Sequence, residues 1–423
     1  MKNFLKIIVA GMLAFIAKLV VRRYSPKIVM ITGSVGKTST KDAVATVLAS
    51  RFLVRKSEKS FNSEFGVPFT ILGVKNPWGN PLAGFSLIKS SIALLILPNH
   101  YPNMLVLEVG ADKPGDLARI LRIATPDAVV VTRLPEIPVH VEAYATPEEV
   151  REEEFSPAQA LRAAAPLIIS ADDSYAMDRA VRVSTNISSY GLADDATVRV
   201  IGVGFCEIEG KVAGMQAKVK MQNEEGSLVV RGSVGTTQLL PAAAALAVAH
   251  SFGISLPEAL KALAQYQPPP GRGRLLVGKN GSIIIDDSYN SSPAAAEEAL
   301  ATLKVFPHAL RRIAVLGDML ELGRYSVMEH ERIGALAAAS ADLIIAVGIR
   351  SRSFASLPAT EVMLFTDASS AAQALSALVR EGDVVLVKGS QSIRTERIVE
   401  ALLANPSDIS LLVRQEREWK RRL

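Results

Sequence analysis

The sequence predicts an α/β protein with two open, mainly parallel sheets, preceded by an apolar helix. Three observations carry that prediction. Short apolar runs alternate with helix-like segments in both halves of the chain, which is the pattern of strand–helix–strand units. The stretch ITGSVGKTST at residues 31–40 directly follows the apolar run Lys27-Ile28-Val29-Met30. A buried strand thus runs into a glycine-rich turn and a helix, the order expected at the C-terminal edge of a doubly wound sheet. Finally, Pro268-Pro269-Pro270-Gly271 is rigid and helix-breaking, and it separates two such patterns. The expected units are an apolar helix over 1–25, a central phosphate-binding unit over 26–270, and a second, Rossmann-like α/β unit over 271–423.

Along the chain, the first unit offers the strands KIVMITG, MLVLEVG, PDAVVVT and APLIIS. Between Ala196 and Val234 the apolar period becomes two, in ATVRVIGVGF, QAKVKMQ and GSLVVRGSV, so antiparallel strands are expected there. Pro241 to His250 and Leu256 to Tyr266 read as helices. After the proline linker, GSIIIDD, RRIAVLGD, ADLIIAVG, EVMLFTD and GDVVLVKG again alternate with helices. No internal repeat or long low-complexity segment interrupts the series.

The N-terminus is the compositional outlier. Phe4 to Val21 is apolar except for Lys6 and Lys18, and it ends in Arg22-Arg23-Tyr24. Eighteen helical residues span about 27 Å, just short of a hydrocarbon core of roughly 30 Å. A spanning anchor and an interfacial helix both fit, and attachment to a membrane is favoured over a core helix. The basic pair would keep the following units on the cytoplasmic face. A second apolar stretch, Trp78 to Pro98, reads equally as a buried helix or as a further membrane-docking surface. The formal charge of +5 gathers at the two termini. With no DNA or RNA motif and few aromatics, it suits an anionic membrane surface or a polyphosphate substrate better than a nucleic acid. Cys206, the only cysteine, cannot form an intramolecular disulfide, which suits a reducing cytosol.

Residues 31–40 carry the clearest chemistry. Gly33 and Gly36 let backbone N–H groups approach an anion, with Ser34 between them, and the helix beginning near Lys37 adds its positive end. Lys37 supplies a point charge for terminal phosphates, and Thr38, followed by Ser39, a hydroxyl suited to Mg²⁺. The common G-x-x-x-x-G-K-[ST] spacing would need glycine at position 31, where this chain has Ile31. The pattern implies a nucleoside triphosphate site.

That compact T-G-S-x-G-K-T-S form resembles the one used by the Mur ligase family, and the resemblance continues in order over about residues 28 to 400. Asn62-Ser63-Glu64-Phe65-Gly66-Val67-Pro68 is similar to the family's N-N-E-I-G-V-P. Leu107-Glu108-Val109-Gly110 resembles L-E-M-G, Val139-His140-Val141-Glu142 resembles A-H-L-E, and Ser170-Ala171-Asp172-Asp173 resembles N-A-D-D. DDSYNSSP from Asp286, LGDMLELG from Leu316 and VKGS from Val387 are similar to signatures of the branch that adds D-alanyl-D-alanine to a muramyl tripeptide. The family's first domain, which grips the UDP end of the substrate, has no counterpart in the roughly 25 residues before the nucleotide-binding strand.

The resemblance implies an ATP-dependent, Mg²⁺-requiring ligase that activates a carboxylate as an acyl phosphate and couples it to an amine. It implies Lys37 on the β/γ-phosphates, Thr38 and Glu108 on a first Mg²⁺, and His140 supporting a second. Asn62 and Glu64 would face the substrate. Arg274, with Arg272 as the alternative, would reach the phosphates from the second unit, and Tyr289 and Asn290 would flank the nucleotide. Asp318 and Glu321 would be structural or orient the amine, while Lys388 and Ser390 would line the amine side. Family members carry a carbamylated lysine fourteen residues after the histidine, where this chain has Glu154. Glu154 then either replaces the carbamate or belongs to a solvated acidic helix face with Glu152 and Glu153.

Two further segments depart from the family pattern. Thr132 to Pro138 lacks the family's glycine, and a G-x-H-N helix start appears as Gly235-Thr236-Thr237-Gln238. The leading expectation is a monomeric, membrane-associated ligase of peptidoglycan synthesis acting on a D-alanyl-D-alanine-like amine. A polyglutamate-type ligase and a nucleotide-binding scaffold of cell-wall synthesis that has lost catalysis remain as alternatives.

Overall fold

A computed structural model describes residues 2–58, 61–74, 81–162, 164–184, 186–356 and 361–420. The chain opens with α1 (Lys2–Tyr24), β1 (Lys27–Thr32), α2 (Lys37–Leu48), β2 (Val54–Lys56), α3 (Gly66–Leu72) and α4 (Pro81–Ile96). It continues with β3 (Met104–Glu108), α5 (Asp116–Leu121), β4 (Ala128–Val131), α6 (Pro147–Gln159) and β5 (Leu167–Ser170). Then come α7 (Ser174–Val183), β6 (Ile187–Gly191), β7 (Val198–Ile208), β8 (Lys211–Met221), β9 (Glu224–Arg231) and α8 (Thr236–Ser251). These strands form one sheet in the order β2-β3-β1-β4-β5-β6-β7-β8-β9. It is parallel from β2 to β7 and antiparallel across β7, β8 and β9.

Strand β1 lies between β3 and β4, so connections leave it toward both sides of the sheet, and a crevice opens beyond its C-terminal end. The register sets Ile31 beside Glu108 and Thr32 beside Val131, which brings the glycine-rich turn level with Glu108. Because the strands are covered on both faces, β1, β3, β4 and β5 are continuously apolar and almost wholly buried. The alanine run of α8 is completely buried against α2 and the sheet, where small side chains let the helices approach closely. Its helix begins at Thr236, five residues before Pro241, where the sequence had placed the start. Pro241 lies in the second turn of this helix, where it has no N–H to give to the Thr237 carbonyl.

A second sheet follows, built from β10 (Arg274–Val277), β11 (Ile283–Asp287), β12 (Arg311–Gly317), β13 (Leu343–Val347), β14 (Glu361–Phe365) and β15 (Asp383–Lys388). Its order is β10-β11-β15-β12-β13-β14, parallel apart from the β10–β11 pair. All twelve strands expected from the sequence are present. Three others were not expected from the sequence: β2 is three residues long, β6 reads ISSYG, and β10 is the short RLLV beginning at the linker arginine.

The N-terminal helix corrects an expectation. Leu13, Ile16, Ala17 and Val20 recur at helical spacing and are buried in one cluster with Val67, Phe69, Ile71 and Leu72 of α3. Tyr24 stacks on Tyr101 at 4.5 Å between ring centroids and donates its hydroxyl hydrogen to the Leu94 carbonyl at 2.8 Å. Among the described residues no helix is long and apolar enough to cross a membrane. The apolarity of α1 over this half reflects packing against the body. Of the second apolar stretch, residues 78–80 lie outside the described residues, while α4 packs against α1.

Leu13→Ala should therefore lower global stability by about 2–5 kcal/mol, the cost of a core truncation with its cavity. A denaturant midpoint equal to that of the wild type would mean α1 is not core.

Candidate active site

Strand β1 delivers the chain to a turn that only glycine can make at two points. Gly33 has φ +113°, and a Cβ there would meet Thr132 Oγ1 at 2.3 Å; Gly36 has φ +89° and caps α2. The turn is pinned to the segment just after β4, because Ser34 N–H donates to the Arg133 carbonyl at 3.0 Å. Lys37 begins α2, and its ammonium donates to the Gly33 carbonyl and stands 3.7 Å from Glu154 Oε1. The N–H groups of the turn and the first turn of α2 thus face a cavity of about 730 Å³.

Glu154 projects from α6 beneath this turn. It is 3% exposed, which removes the solvated-face reading. Its carboxylate accepts from Thr32 Oγ1 at 2.8 Å, from the Gly33 N–H at 3.1 Å and from the Ala111 N–H at 3.3 Å. Its two neighbours turn elsewhere: Glu153 accepts from the Gly115 and Leu117 N–H groups, and Glu152 pairs with Arg179.

Glu108, at the end of β3, accepts from the Thr38 hydroxyl at 3.1 Å on Oε1. Its other oxygen is buried without a hydrogen bond and lies 3.5 Å from the Lys41 ammonium. Mg²⁺ takes one or two carboxylates and completes its shell with phosphate and water. A hydroxyl beside an under-satisfied buried carboxylate oxygen, both on the cavity wall, fits that demand. No three His, Cys, Asp or Glu side chains converge on a metal site among the described residues.

The far wall comes from the second sheet. Arg272 stacks over the Tyr289 ring at 4.1 Å, and both line the cavity with Asn290. Arg274, the residue first expected to reach the phosphates, lies in β10 and does not line the cavity; its alternative, Arg272, does. Gly271 sits at φ +67° in the linker, and its carbonyl accepts from the Tyr289 N–H at 3.2 Å. This fixes Arg272 next to the ring.

His140 closes the cavity from the first unit. Its Nδ1 is 2.9 Å from Glu321 Oε2 on the second unit, and its Nε2 is 3.6 Å from Asp112 Oδ1. Both His140 and Glu321 adopt positive φ, at 68° and 65°. Burial disfavours a charged imidazole, but the hydrogen bond and charge of Glu321, with Asp112 behind, outweigh it and raise the His140 pKa. The same hydrogen bond lowers that of Glu321.

The family follows from the sequence patterns that match this architecture. That of the Mur ligase middle domain covers residues 31–249, and that of the Mur ligase glutamate ligase domain covers 271–391. The chain belongs to the Mur ligase family. It is 25% identical over 406 residues to the UDP-N-acetylmuramoyl-tripeptide–D-alanyl-D-alanine ligase of Bacillus subtilis, covering 92% of this chain and 79% of that enzyme. To the enzyme of the same name from Mycobacterium leprae it is 29% identical over 410 residues, covering 89% and 74%. The crystal structure of the MurF ligase from Thermotoga maritima in complex with ADP matches with a TM-score of 0.76 and 26% identity, covering 93% of this chain and 83% of that one. This Mur ligase is thus MurF-like, an ATP-dependent ligase of the acid–amino-acid class.

Within the Mur ligase cavity the structure gathers Ser34, Gly36, Lys37, Thr38, Asn62, Glu108, His140, Glu154, Tyr289, Asn290, Glu321 and Ser390. Other predicted residues lie outside it. Ser39 lines a smaller neighbouring pocket, as does Lys388, which is buried and bonded to Asp287 at 2.6 Å and the Asn290 carbonyl at 3.0 Å. Asp318 is a structural cap, accepting from the Ile349 and Ser351 N–H groups. Glu64 faces away and meets Arg119 at 3.4 Å. Sequence reasoning missed Asp112, Arg394 and Trp419, which also line the cavity. Asp112 follows the Glu108 strand by four residues and could have been weighed there; Arg394 and Trp419 meet only through the fold, where Arg394 donates to the Trp419 carbonyl at 3.1 Å.

The raised His140 and lowered Glu321 pKa values predict that the contact between the two units weakens at high pH. Its contribution is full below the ordinary imidazole value of 6.5 and fades as pH rises through the raised His140 value, whereas the lowered Glu321 stays ionised below 4.5. Small-angle scattering of the nucleotide-free protein should give a larger radius of gyration at about pH 9 than at about pH 6, and Glu321→Gln should abolish the difference. Equal scattering at both values would show that the pair does not hold the units together.

Proposed function

We propose that this Mur ligase adds a D-alanyl-D-alanine-like amine to the carboxylate of a muramyl-peptide precursor, using ATP and Mg²⁺, through two units spanning 26–270 and 271–423. The observation that carries the proposal is the convergence of Lys37, Thr38, Glu108 and Glu154 with Arg272 and Tyr289 on one cavity. A carboxylate oxygen is a poor leaving group, so the acid must first take the γ-phosphoryl group to become an acyl phosphate. The amine then attacks the carbonyl carbon and phosphate departs. Such transfer depends on positioning and charge neutralisation.

Lys37 and Arg272 line opposite walls of the cavity and would neutralise the phosphates from both sides. Thr38 and Glu108 would hold Mg²⁺, which supplies charge neutralisation on the phosphate oxygens when bound. Glu154 stands where the family resemblance puts a lysine carbamate, and its buried carboxylate offers the same kind of negative oxygen without carbamylation. Asn62 on one side, and Ser390 with Glu321 on the other, are assigned to the acid and the amine respectively. His140 is assigned to metal support when the cleft is loaded.

The same reading places the protein, as a monomer, at the cytoplasmic face of the membrane through an interfacial surface. Phe15 of α1 and Ile92, Ile96 and Leu97 near the end of α4 are exposed, with exposed Lys89, Arg22 and Arg23 among them. Apolar side chains interleaved with cations suit an anionic bilayer surface.

The direct experiment is an ATP-dependent ligation assay with D-alanyl-D-alanine. Lys37→Ala should abolish product while leaving the fold intact, because Glu154 keeps its three hydrogen-bond donors. Product formed by this variant at the wild-type rate would refute the assignment, and ATP turnover without product for any amine would favour the scaffold alternative.

Glu154 gives a second test. Glu154→Gln should keep the side-chain shape but remove the charge and turn one acceptor oxygen into a donor, slowing ligation about tenfold or more, corresponding to about 1.4 kcal/mol or more of lost transition-state stabilisation. Wild-type activity should not respond to added bicarbonate, whereas Glu154→Lys should be partly rescued by it. Unchanged kinetics in Glu154→Gln would reduce the residue to a structural prop of the turn.

A further inference from the structure

Behind the active cavity lies a second groove of about 590 Å³, between α1 and α5. Two short segments connect the two spaces. Asn62 lines the active cavity and Glu64 the groove, and Asp112 lines the cavity and Lys113 the groove. A molecule seated in the groove could therefore present an attached peptide to the site of acyl-phosphate formation.

The groove has two chemically distinct parts. One is cationic, formed by Lys18, Lys113, Arg119 and Arg122. Arg119 is occupied by Asp116 at 2.7 Å and Glu64 at 3.4 Å. Lys18, Lys113 and Arg122 have no ion-pair partner among the described residues, so the rim keeps an excess of positive charge. The other part is an apolar wall of α1, made by Ala10, Gly11, Ala14 and Phe15, the last 63% exposed. A Cβ at Gly11 would meet nothing within 4 Å, so the small residues leave an open lane along the helix. This wall presents no side chain that could hydrogen-bond a nucleobase.

We propose that this groove binds a lipid-linked acid substrate, with the diphosphate of a polyprenyl diphosphate carrier at Lys18, Lys113 and Arg122 and the start of its hydrocarbon chain along Ala10, Gly11 and Ala14. The proposal rests on the ligase reading above and narrows its substrate from muramyl peptides in general to the membrane-borne form. Charge complementarity selects a phosphate-bearing ligand, and the apolar lane selects one whose phosphates continue into hydrocarbon. The exposed Ile92, Ile96 and Leu97 of the adjoining α4 region would set the same end of the molecule on the bilayer from which such a substrate is drawn.

The test is flotation of the full chain with phosphatidylcholine vesicles containing a long-chain polyprenyl diphosphate. Controls contain the corresponding polyprenol, or phosphatidylglycerol at matched charge, or soluble UDP as competitor. Binding should require the diphosphate lipid. Lys113→Glu with Arg122→Glu should weaken it about tenfold or more, given the loss and reversal of two cations near an anionic group. Gly11→Trp should block the lane with a similar loss, and ATP affinity should be unchanged in both variants. Equal binding to matched phosphatidylglycerol, competition by UDP, or full binding by both variants would overturn the proposal. Ligation assays with lipid-linked and UDP-linked acceptors separate the two levels of inference. Absence of product from both would remove the ligase reading, whereas equal use of both, unaffected by Gly11→Trp, would remove only the groove's role.

Discussion

The buried carboxylate of Glu154 holds together the parts on which the rest of the site depends. It comes from α6, yet its hydrogen-bond donors belong to the ends of β1 and to the segment after β3, and its charge faces Lys37 of α2. A carboxylate this deeply buried is costly unless donors and a cation surround it; Thr32, Gly33 and Ala111 donate to it and Lys37 stands beside it. Four separate elements are thereby fixed at the sheet's C-terminal edge before any ligand arrives. The same arrangement keeps negative oxygens in the cavity at a position where the family resemblance expects a modified lysine.

The second constraint is the cleft itself. One wall carries Lys37, Thr38 and Glu108, and the other carries Arg272, Tyr289 and Asn290. Neither wall could transfer a phosphoryl group alone, since positioning must come from both sides. The linker glycine hydrogen-bonds to Tyr289, and His140 meets Glu321 across the gap. The contacts that join the two walls therefore share residues with the cavity, since His140 and Glu321 both line it.

At the outer side of the first unit, α1 has a divided role. One stripe is core, stacked on α3, and the opposite stripe forms an open, small-residue lane beside a cationic rim. A helix that is apolar nearly all round thus serves packing on one face and leaves another free. This explains why its composition alone suggested a membrane span.

The strands and the phosphate turn were legible in the sequence because they depend on local order: apolar runs of strand length, glycines where φ must be positive, a lysine and a threonine at fixed offsets. Glu108 was legible for the same reason, as the residue ending an apolar strand beside that turn. Short strands such as ISSYG were not, since their partners rather than their side chains make them strands. The choice between Arg272 and Arg274 needed the linker's path, because two residues of shift turn one arginine onto Tyr289 and the other into β10. Whether Glu154 was solvated or buried could be decided only by where α6 docks, and whether α1 was anchor or core only by what covers Leu13 and Val20. Sequence by itself determined which residues could bind phosphate and in what order the strands are made. The tertiary structure alone decided which charges share a cavity, because burial and separation across two sheets are set by packing between segments more than a hundred residues apart.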